Sequence, residues 1–196
     1  MPPWAPARLT VLAGPSGVGK GTVASLIAKR FERVFLSISA TTRPPRSGEA
    51  DGVNYHFVNP KRFEEMVSSG QMLEWAKYSG HLYGTPRNGV EQALSQNRPA
   101  LLEIDLAGAR QVRASMPDAV QIFLAPPTFA ELARRLQGRG TENQAQRAAR
   151  LEVARAELAA SNEFDVVVIN DRVEQAASEV ARVMGLDWDA HPTTNH

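Results

Sequence analysis

The chain of 196 residues contains no cysteine, which excludes disulfide cross-links and thiolate metal centres and fits a reducing compartment. Charge of one sign is also missing. Twenty-two Lys and Arg residues face twenty-one Asp and Glu, a net charge of +1, so nothing pulls the chain as a whole toward nucleic acid or an acidic membrane surface. No apolar run approaches the length of a membrane-spanning helix. The opening MPPWAPARLTVLAG lacks a signal-peptide pattern, and the cytoplasm is the expected location. The four histidines do not converge on a metal site or a catalytic triad. His191 and His196 fall in the polar tail, while His56 and His81 fall in expected strands, where structural or exposed roles are the commoner ones. Internal repeats and low-complexity tracts are absent as well.

What is present is ordinary for a soluble globular protein: 43% apolar and 22% charged residues, on a chain long enough for one domain with a sizeable core. Leu9–Ala13 reads as a buried strand entering a glycine-rich turn, and Thr22–Phe31 as a helix with Val23, Leu26, Ile27 and Phe31 at helical spacing. Residues 34–39 and 53–58 read as strands, separated by a loop rich in Arg, Pro, Gly and Ser. Asn59-Pro60 reads as a helix cap followed by proline at the first helical position. Residues 71–78 and 81–84, split by Ser79-Gly80, read as a hairpin. Leu101–Asp105, Val120–Ala125 and Phe164–Asn170 are further strands; Phe129–Leu136, Arg150–Ala160 and Val173–Met184 are helices. Strands and helices alternate at both ends of the chain, which predicts an α/β fold with a parallel sheet flanked by helices. Residues 36–90 follow a different grammar of short paired strands and read as an insertion into that core, with core segments 8–35 and 91–184 and a polar tail at 185–196.

Residues 14–20 run Gly14, Pro15, Ser16, Gly17, Val18, Gly19, Lys20, which fits G-x-x-x-x-G-K between a strand and a helix. Glycines let successive N–H groups turn toward one anion, the helix adds its positive end, and Lys20 places an ammonium on the outer phosphates. One position departs from the pattern. The hydroxyl residue that should follow the lysine and ligate Mg²⁺ is Gly21, and Thr22 lies about 100° further round the helix. No side chain is therefore expected as a direct metal ligand; Mg²⁺ is expected to be held by phosphate oxygens and waters.

Beyond the glycine loop stand Ser39-Ala40-Thr41-Thr42-Arg43, Gly48-Glu49, Leu73-Glu74-Trp75-Ala76, Tyr83-Gly84-Thr85, Glu103-Ile104-Asp105 and Gly138-Arg139-Gly140-Thr141. With these in order from about Arg8 to Met184, the sequence resembles the guanylate kinases of bacterial type. The resemblance implies a phosphate-loop core that binds ATP, an inserted part that binds GMP, and a small lid at about 134–150 that carries arginines. It implies an ATP site of Gly14, Pro15, Ser16, Gly17, Val18, Gly19, Lys20, Gly21 and Thr22, with Asn170 near the adenine. It assigns the GMP phosphate to Ser39, Arg43, Arg46, Tyr55 and Tyr83, and the guanine to Glu74, Thr85 and Asp105. Lys20, Arg43, Arg135, Arg139 and Arg150 form the expected catalytic set.

Residue chemistry supports several of these assignments independently. Arg43 and Arg46 offer guanidinium forks suited to a phosphate dianion, although arginines in a Pro-rich loop are otherwise solvated surface charges. Guanine carries two donors on one edge, N1–H and the exocyclic amine, and one carboxylate can accept both; Glu74, between Leu73 and Trp75, is placed for that. Asp105 ends an apolar run, where α/β sheets gather ligands, or it caps the next helix. Glu103 shares a face with Asp105 if both are extended, and their roles do not separate at this level. Because the acceptor is already an ionised phosphate, no general base is required. Two other readings compete: a monophosphate kinase for another base, which the donor-reading acid disfavours, and a non-catalytic module that binds phosphorylated protein segments, which Lys20 and the lid arginines disfavour. The expected partners are ATP and GMP, with dGMP use and oligomeric state open.

Overall fold

A computed structural model describes residues 7–78, 80–137 and 144–189, excluding the side chains of residues 137 and 144–148. Its first strand, β1 (Leu9–Ala13), is buried at every position. Leu9, Val11 and Ala13 join one apolar cluster and Leu12 another. Successive side chains of a strand point to opposite faces, so this sequence needs cover on both sides and is at home only inside a sandwiched sheet.

The sheet is parallel. Four more strands, β2 (Phe35–Leu36), β7 (Ala100–Glu103), β8 (Val120–Ala125) and β9 (Val166–Ile169), pair with it in the order β2-β7-β1-β8-β9. One face is covered by α1 (Lys20–Arg30), α5 (Phe129–Gln137), α6 (Gln144–Ala159) and α7 (Val173–Val183), whose Val23, Ala24, Ile27, Leu132, Ala154, Ala177 and Val180 close over Leu12, Leu101 and Ile122. The other is covered by α3 (Arg87–Ser95) and α4 (Leu106–Ser115) through Val90, Ala109 and Val112.

A second, mixed sheet holds β3 (Ala40–Thr41), β4 (His56–Phe57), β5 (Met72–Tyr78) and β6 (His81–Pro86) in the order β4-β3-β6-β5. It has its own small core, Ala40, Phe63 and Met72, with Phe63 supplied by α2 (Pro60–Ser68). That helix starts as expected: the Arg62 N–H donates to the Asn59 side chain at 2.8 Å, with Pro60 at the first turn. The hairpin β5–β6 forms as expected, with Glu74 opposite Thr85. Gln111 on α4 ties this sheet to the core: its Nε2 donates to the Trp75 carbonyl at 2.9 Å and its Oε1 accepts the Trp75 N–H at 3.1 Å.

Three sequence expectations need correction. The strand expected over 34–39 is split, because the chain leaves the core sheet after Leu36 and enters the second sheet at Ala40. The strand expected over 53–58 shrinks to His56–Phe57, preceded by an isolated bridge from Asp51 to Tyr55. Helix α3 has no counterpart in the sequence reading, and α4 only the helix that Asp105 would cap; each is short and carries an internal glycine, Gly89 or Gly108, which lowers helix propensity.

Candidate active site

The chain between β1 and α1 turns through backbone angles that glycine alone adopts readily. Gly17 and Gly19 have φ of 81° and 100°, and Gly19 forms the left-handed cap of α1. A Cβ at Gly19 would also lie 2.6 Å from Asn170 Nδ2. The Lys20 ammonium donates to the carbonyls of Gly14 at 2.7 Å and Pro15 at 3.3 Å, which folds it back over the loop. Gly14 to Gly19 form the turn between β1 and α1, and Lys20 and Gly21 open the helix. Thr22 points out to solvent and is absent from the cavity lining.

Two residues from outside the loop brace it. Asn170 Nδ2 donates to the Val18 carbonyl at 2.7 Å, and Arg135 donates to the carbonyls of Asn170 at 3.3 Å and Val18 at 3.5 Å. Arg135 is itself steadied by Glu131 at 2.8 Å, which Arg134 also holds. The bracing function was invisible in sequence, because the contact between Asn170 and Val18 joins residues 152 positions apart.

A cavity of about 800 Å³ opens in front of the loop and joins the two sheets. Ser16 and Lys20 line its loop side; Ser39, Arg43, Arg46, Tyr55 and Tyr83 line the far side. Arg43 is held in place by Glu49 at 2.8 Å and stacks over the rings of Tyr55 and Phe57. The same Glu49 accepts the Arg46 backbone N–H at 2.7 Å. These bonds hold the Glu49 carboxyl below the usual carboxylate range, Arg43 contributing most. Ser39, Arg43, Arg46, Tyr55 and Tyr83 thus line one cavity, with Glu49 holding Arg43 and the Arg46 backbone.

Glu74 sits deeper, 6% exposed, and accepts the Thr85 hydroxyl at 2.6 Å. Burial pushes its carboxyl up to about 7, opposed by the Thr85 hydrogen bonds and reinforced by the nearby charge of Asp105. Asp105 lines the same cavity, and its Oδ1 accepts the Gly108 N–H at 2.8 Å as the N-cap of α4. The helix-capping alternative for Asp105 is thus observed, in a residue that also lines the cavity. Gly108 makes room for this arrangement: a Cβ there would lie 2.7 Å from Glu74 Oε2 and 3.4 Å from Asp105 Oδ1. Thr85 pins Glu74, so the carboxylate cannot simply retreat. Gly108→Ala is expected to weaken binding of the base-bearing acceptor roughly ten-fold, about the loss of one good charge-assisted hydrogen bond, and to leave donor nucleotide binding nearly unchanged. Calorimetric titration of each ligand against folded mutant checks both halves.

Glu103 and Asp105 part company here. The Cβ that Gly21 lacks would lie 3.1 Å from Glu103 Oε2 and 3.3 Å from Oε1. Thus a carboxylate, an oxygen donor suited to a hard cation, fills the place where a loop hydroxyl would otherwise stand. Burial raises the Glu103 carboxyl and the Lys20 charge lowers it. No cluster of three or more potential metal-ligating side chains exists among the described residues.

Arg150 lines the cavity from α6. Arg139 lies outside the described residues, as does the rest of the Gly138–Thr141 motif. Glu157, also on α6 and also facing the cavity, was missed. The only sequence signal for it was an acid seven residues after Arg150, hence on the same helix face.

A glycine loop with its lysine at the carboxyl end of β1, sharing one cavity with arginines and a buried acid, defines a phosphate-loop kinase that acts on a small anionic acceptor. The guanylate kinase family model matches residues 6–186. The guanylate kinase of Thermobifida fusca (strain YX) is 55% identical over 175 residues, spanning 89% of each chain. That of Frankia casuarinae is 55% identical over 179 residues, 91% of this chain and 97% of its own. Among solved structures, the guanylate kinase of Anaplasma phagocytophilum superposes with a TM-score of 0.74 at 31% identity, covering 91% of this chain and 85% of that one. The chain belongs to the guanylate kinase family. A sugar kinase from Janibacter sp. HTCC2649, at 13% identity and a TM-score of 0.51, shares the fold alone.

Proposed function

We propose that the chain transfers the terminal phosphoryl group of ATP to GMP, giving ADP and GDP, in cytoplasmic purine nucleotide metabolism. The single observation that carries this reading is the continuous cavity with Lys20 and the phosphate loop at one end and Glu74 at the other. ATP phosphates lie on the loop N–H groups; the GMP phosphate meets Ser39, Arg43, Arg46, Tyr55 and Tyr83; the guanine edge meets Glu74, Asp105 and the Thr85 side. Ionised Glu74 accepts N1–H and the exocyclic amine together.

The acceptor oxygen is already an anion, so the protein positions two phosphates and offsets charge without a general base. Lys20 and the lid arginines Arg135, Arg139 and Arg150 supply the positive charge, Arg135 partly by fixing the loop. Mg²⁺ would be held by phosphate oxygens and its own waters, with the Glu103 carboxylate beside Gly21 available to those waters, and would supply positive charge at the outer phosphates. No described helix is long and apolar enough to cross a membrane.

A bisubstrate in which adenosine and guanosine are joined through five phosphates tests the shared cavity. It is expected to bind far more tightly than ATP or GMP alone, since one molecule fills both ends. Affinity no better than that of the stronger single nucleotide would place the two ends in separate sites. Within the same reading, Arg150→Ala is expected to lower kcat more than it weakens GMP binding to the nucleotide-free enzyme, because this arginine serves the phosphates and not the base. Steady-state kinetics beside calorimetry separates the two effects.

A further inference from the structure

Glu157 is a carboxylate in a place built for a phosphate. It lies on α6 and faces the cavity beside Ser16 and Lys20. Burial raises its carboxyl overall, while the Lys20 charge and then the Ser16 backbone N–H, one of the loop donors, pull it down. Its Oε2 is buried and has no hydrogen-bond partner among the described residues. The charge of Asp105 adds a smaller rise to that of burial. Of the loop residues, Ser16 and Lys20 are the two that line the cavity shared with Arg43 and Tyr83. Glu157 therefore sits at the end of the loop that faces the acceptor, where the terminal phosphate of the donor belongs.

We propose that Glu157 is the resident anion of the terminal-phosphate position in the nucleotide-free enzyme, and that ATP must displace it to bind. This rests on the reading of the phosphate loop as the ATP site. An anion nest left without a ligand holds converging N–H dipoles and a lysine charge, and a carboxylate satisfies part of that field. It does so incompletely, because one oxygen stays without a partner in a site where that is costly, so the contact is easily exchanged. A carboxylate and a terminal phosphate cannot share the position, since like charges at contact distance repel strongly in a partly buried site. Arg150 lies seven residues before Glu157 on the same face of α6. One helix thus carries both the anion that leaves the loop and the cation that serves the phosphates, which links nucleotide arrival to the placing of Arg150.

Glu157→Gln keeps the shape and removes the charge. Calorimetry with the β,γ-imido analogue of ATP and with ADP, each with Mg²⁺ and with chelator, reads the result on the full chain. The analogue is expected to bind the mutant about five-fold or more tightly than it binds the parent, roughly the effect of removing one repulsive charge at a partly screened site. ADP, lacking the terminal phosphate, is expected to gain clearly less. Unchanged or weaker analogue binding overturns the proposal, as does an equal gain for ADP. Weakening seen only with Mg²⁺ overturns it too, by making Glu157 a metal ligand. Glu157→Ala gives a second reading should the glutamine variant melt well below the parent. Binding of the analogue to the parent reports separately on whether the loop is the ATP site.

Discussion

Lys20→Ala is expected to cut turnover by about 100-fold or more while the protein stays folded. The size follows from what the residue does: it brings a full charge to phosphoryl oxygens in a partly enclosed site, and losing one such donor costs on that order. Survival of the fold follows from its place. Lys20 is only partly buried, and the loop shape is set by Gly17 and Gly19 and by the Asn170 and Arg135 bonds to Val18. Burial raises the carboxyls of Glu103 and Glu157 and the Lys20 charge opposes it, so removing that charge leaves two cavity-lining acids less well compensated. Initial-rate kinetics with a thermal melt of the same sample checks the pair of claims. Near-normal turnover in folded protein would mean that the phosphoryl group does not pass this lysine.

The second large effect is on base selection. Glu74→Gln is expected to narrow the preference for GMP over IMP and AMP by about ten-fold or more, because it exchanges a double acceptor for a group that presents an amide donor. AMP offers N1 as an acceptor, which faces the ionised carboxylate of the parent and leaves it unpaired. Asp105 and Thr85 keep some preference for guanine in the mutant. A pH series adds a second test. Burial sets the Glu74 carboxyl at about 7, and only its ionised form accepts both guanine donors. GMP binding to the parent should therefore weaken as pH falls through about 7, and the mutant should lack that component. The GMP phosphate titrates in both proteins, so their difference isolates Glu74. Stability moves the other way. The folded state holds this proton more tightly than the unfolded chain, so the contribution is present below the ordinary carboxyl range and lost as pH rises through about 7. The parent should lose melting temperature relative to Glu74→Gln over that rise. An unchanged base preference would move the reading of guanine to Asp105.

The parts legible in sequence were those where local chemistry and tertiary role coincide. Residues 9–20 announce a strand, a turn and a helix because each uses the residue types its backbone demands, and Asn59-Pro60 announces a cap for the same reason. The hairpin at 72–86 was legible from its Ser79-Gly80 break. Helices α3 and α4 were not, since their burial comes from the sheet they cover and not from strong propensity; Val90, Ala93, Ala109 and Val112 are too few to impose a pattern on nine- and ten-residue segments. The split of residues 34–41 between two sheets is a property of topology, which an apolar run does not encode. In the site, the chemically marked residues Lys20, Arg43, Glu74 and Asp105 were found, and the spatial relations between them were not. That Gly21 clears space for Glu103, that Gly108 clears space for Glu74, and that Glu157 reaches the phosphate loop are contacts between residues 34 to 141 positions apart in sequence. Only the folded chain brings them together.

A phosphotransfer assay on the full chain, with ATP, Mg²⁺ and each of GMP, AMP, CMP and UMP in turn, tests the central claim most directly. Nucleoside diphosphate formation is followed by chromatography. The expected result is rapid production of GDP and ADP in equal amounts, with catalytic efficiency on GMP exceeding that on AMP by roughly a thousand-fold or more, as befits a buried acid left unpaired by the wrong base. Absence of GDP, or a faster reaction with another monophosphate, would contradict the account.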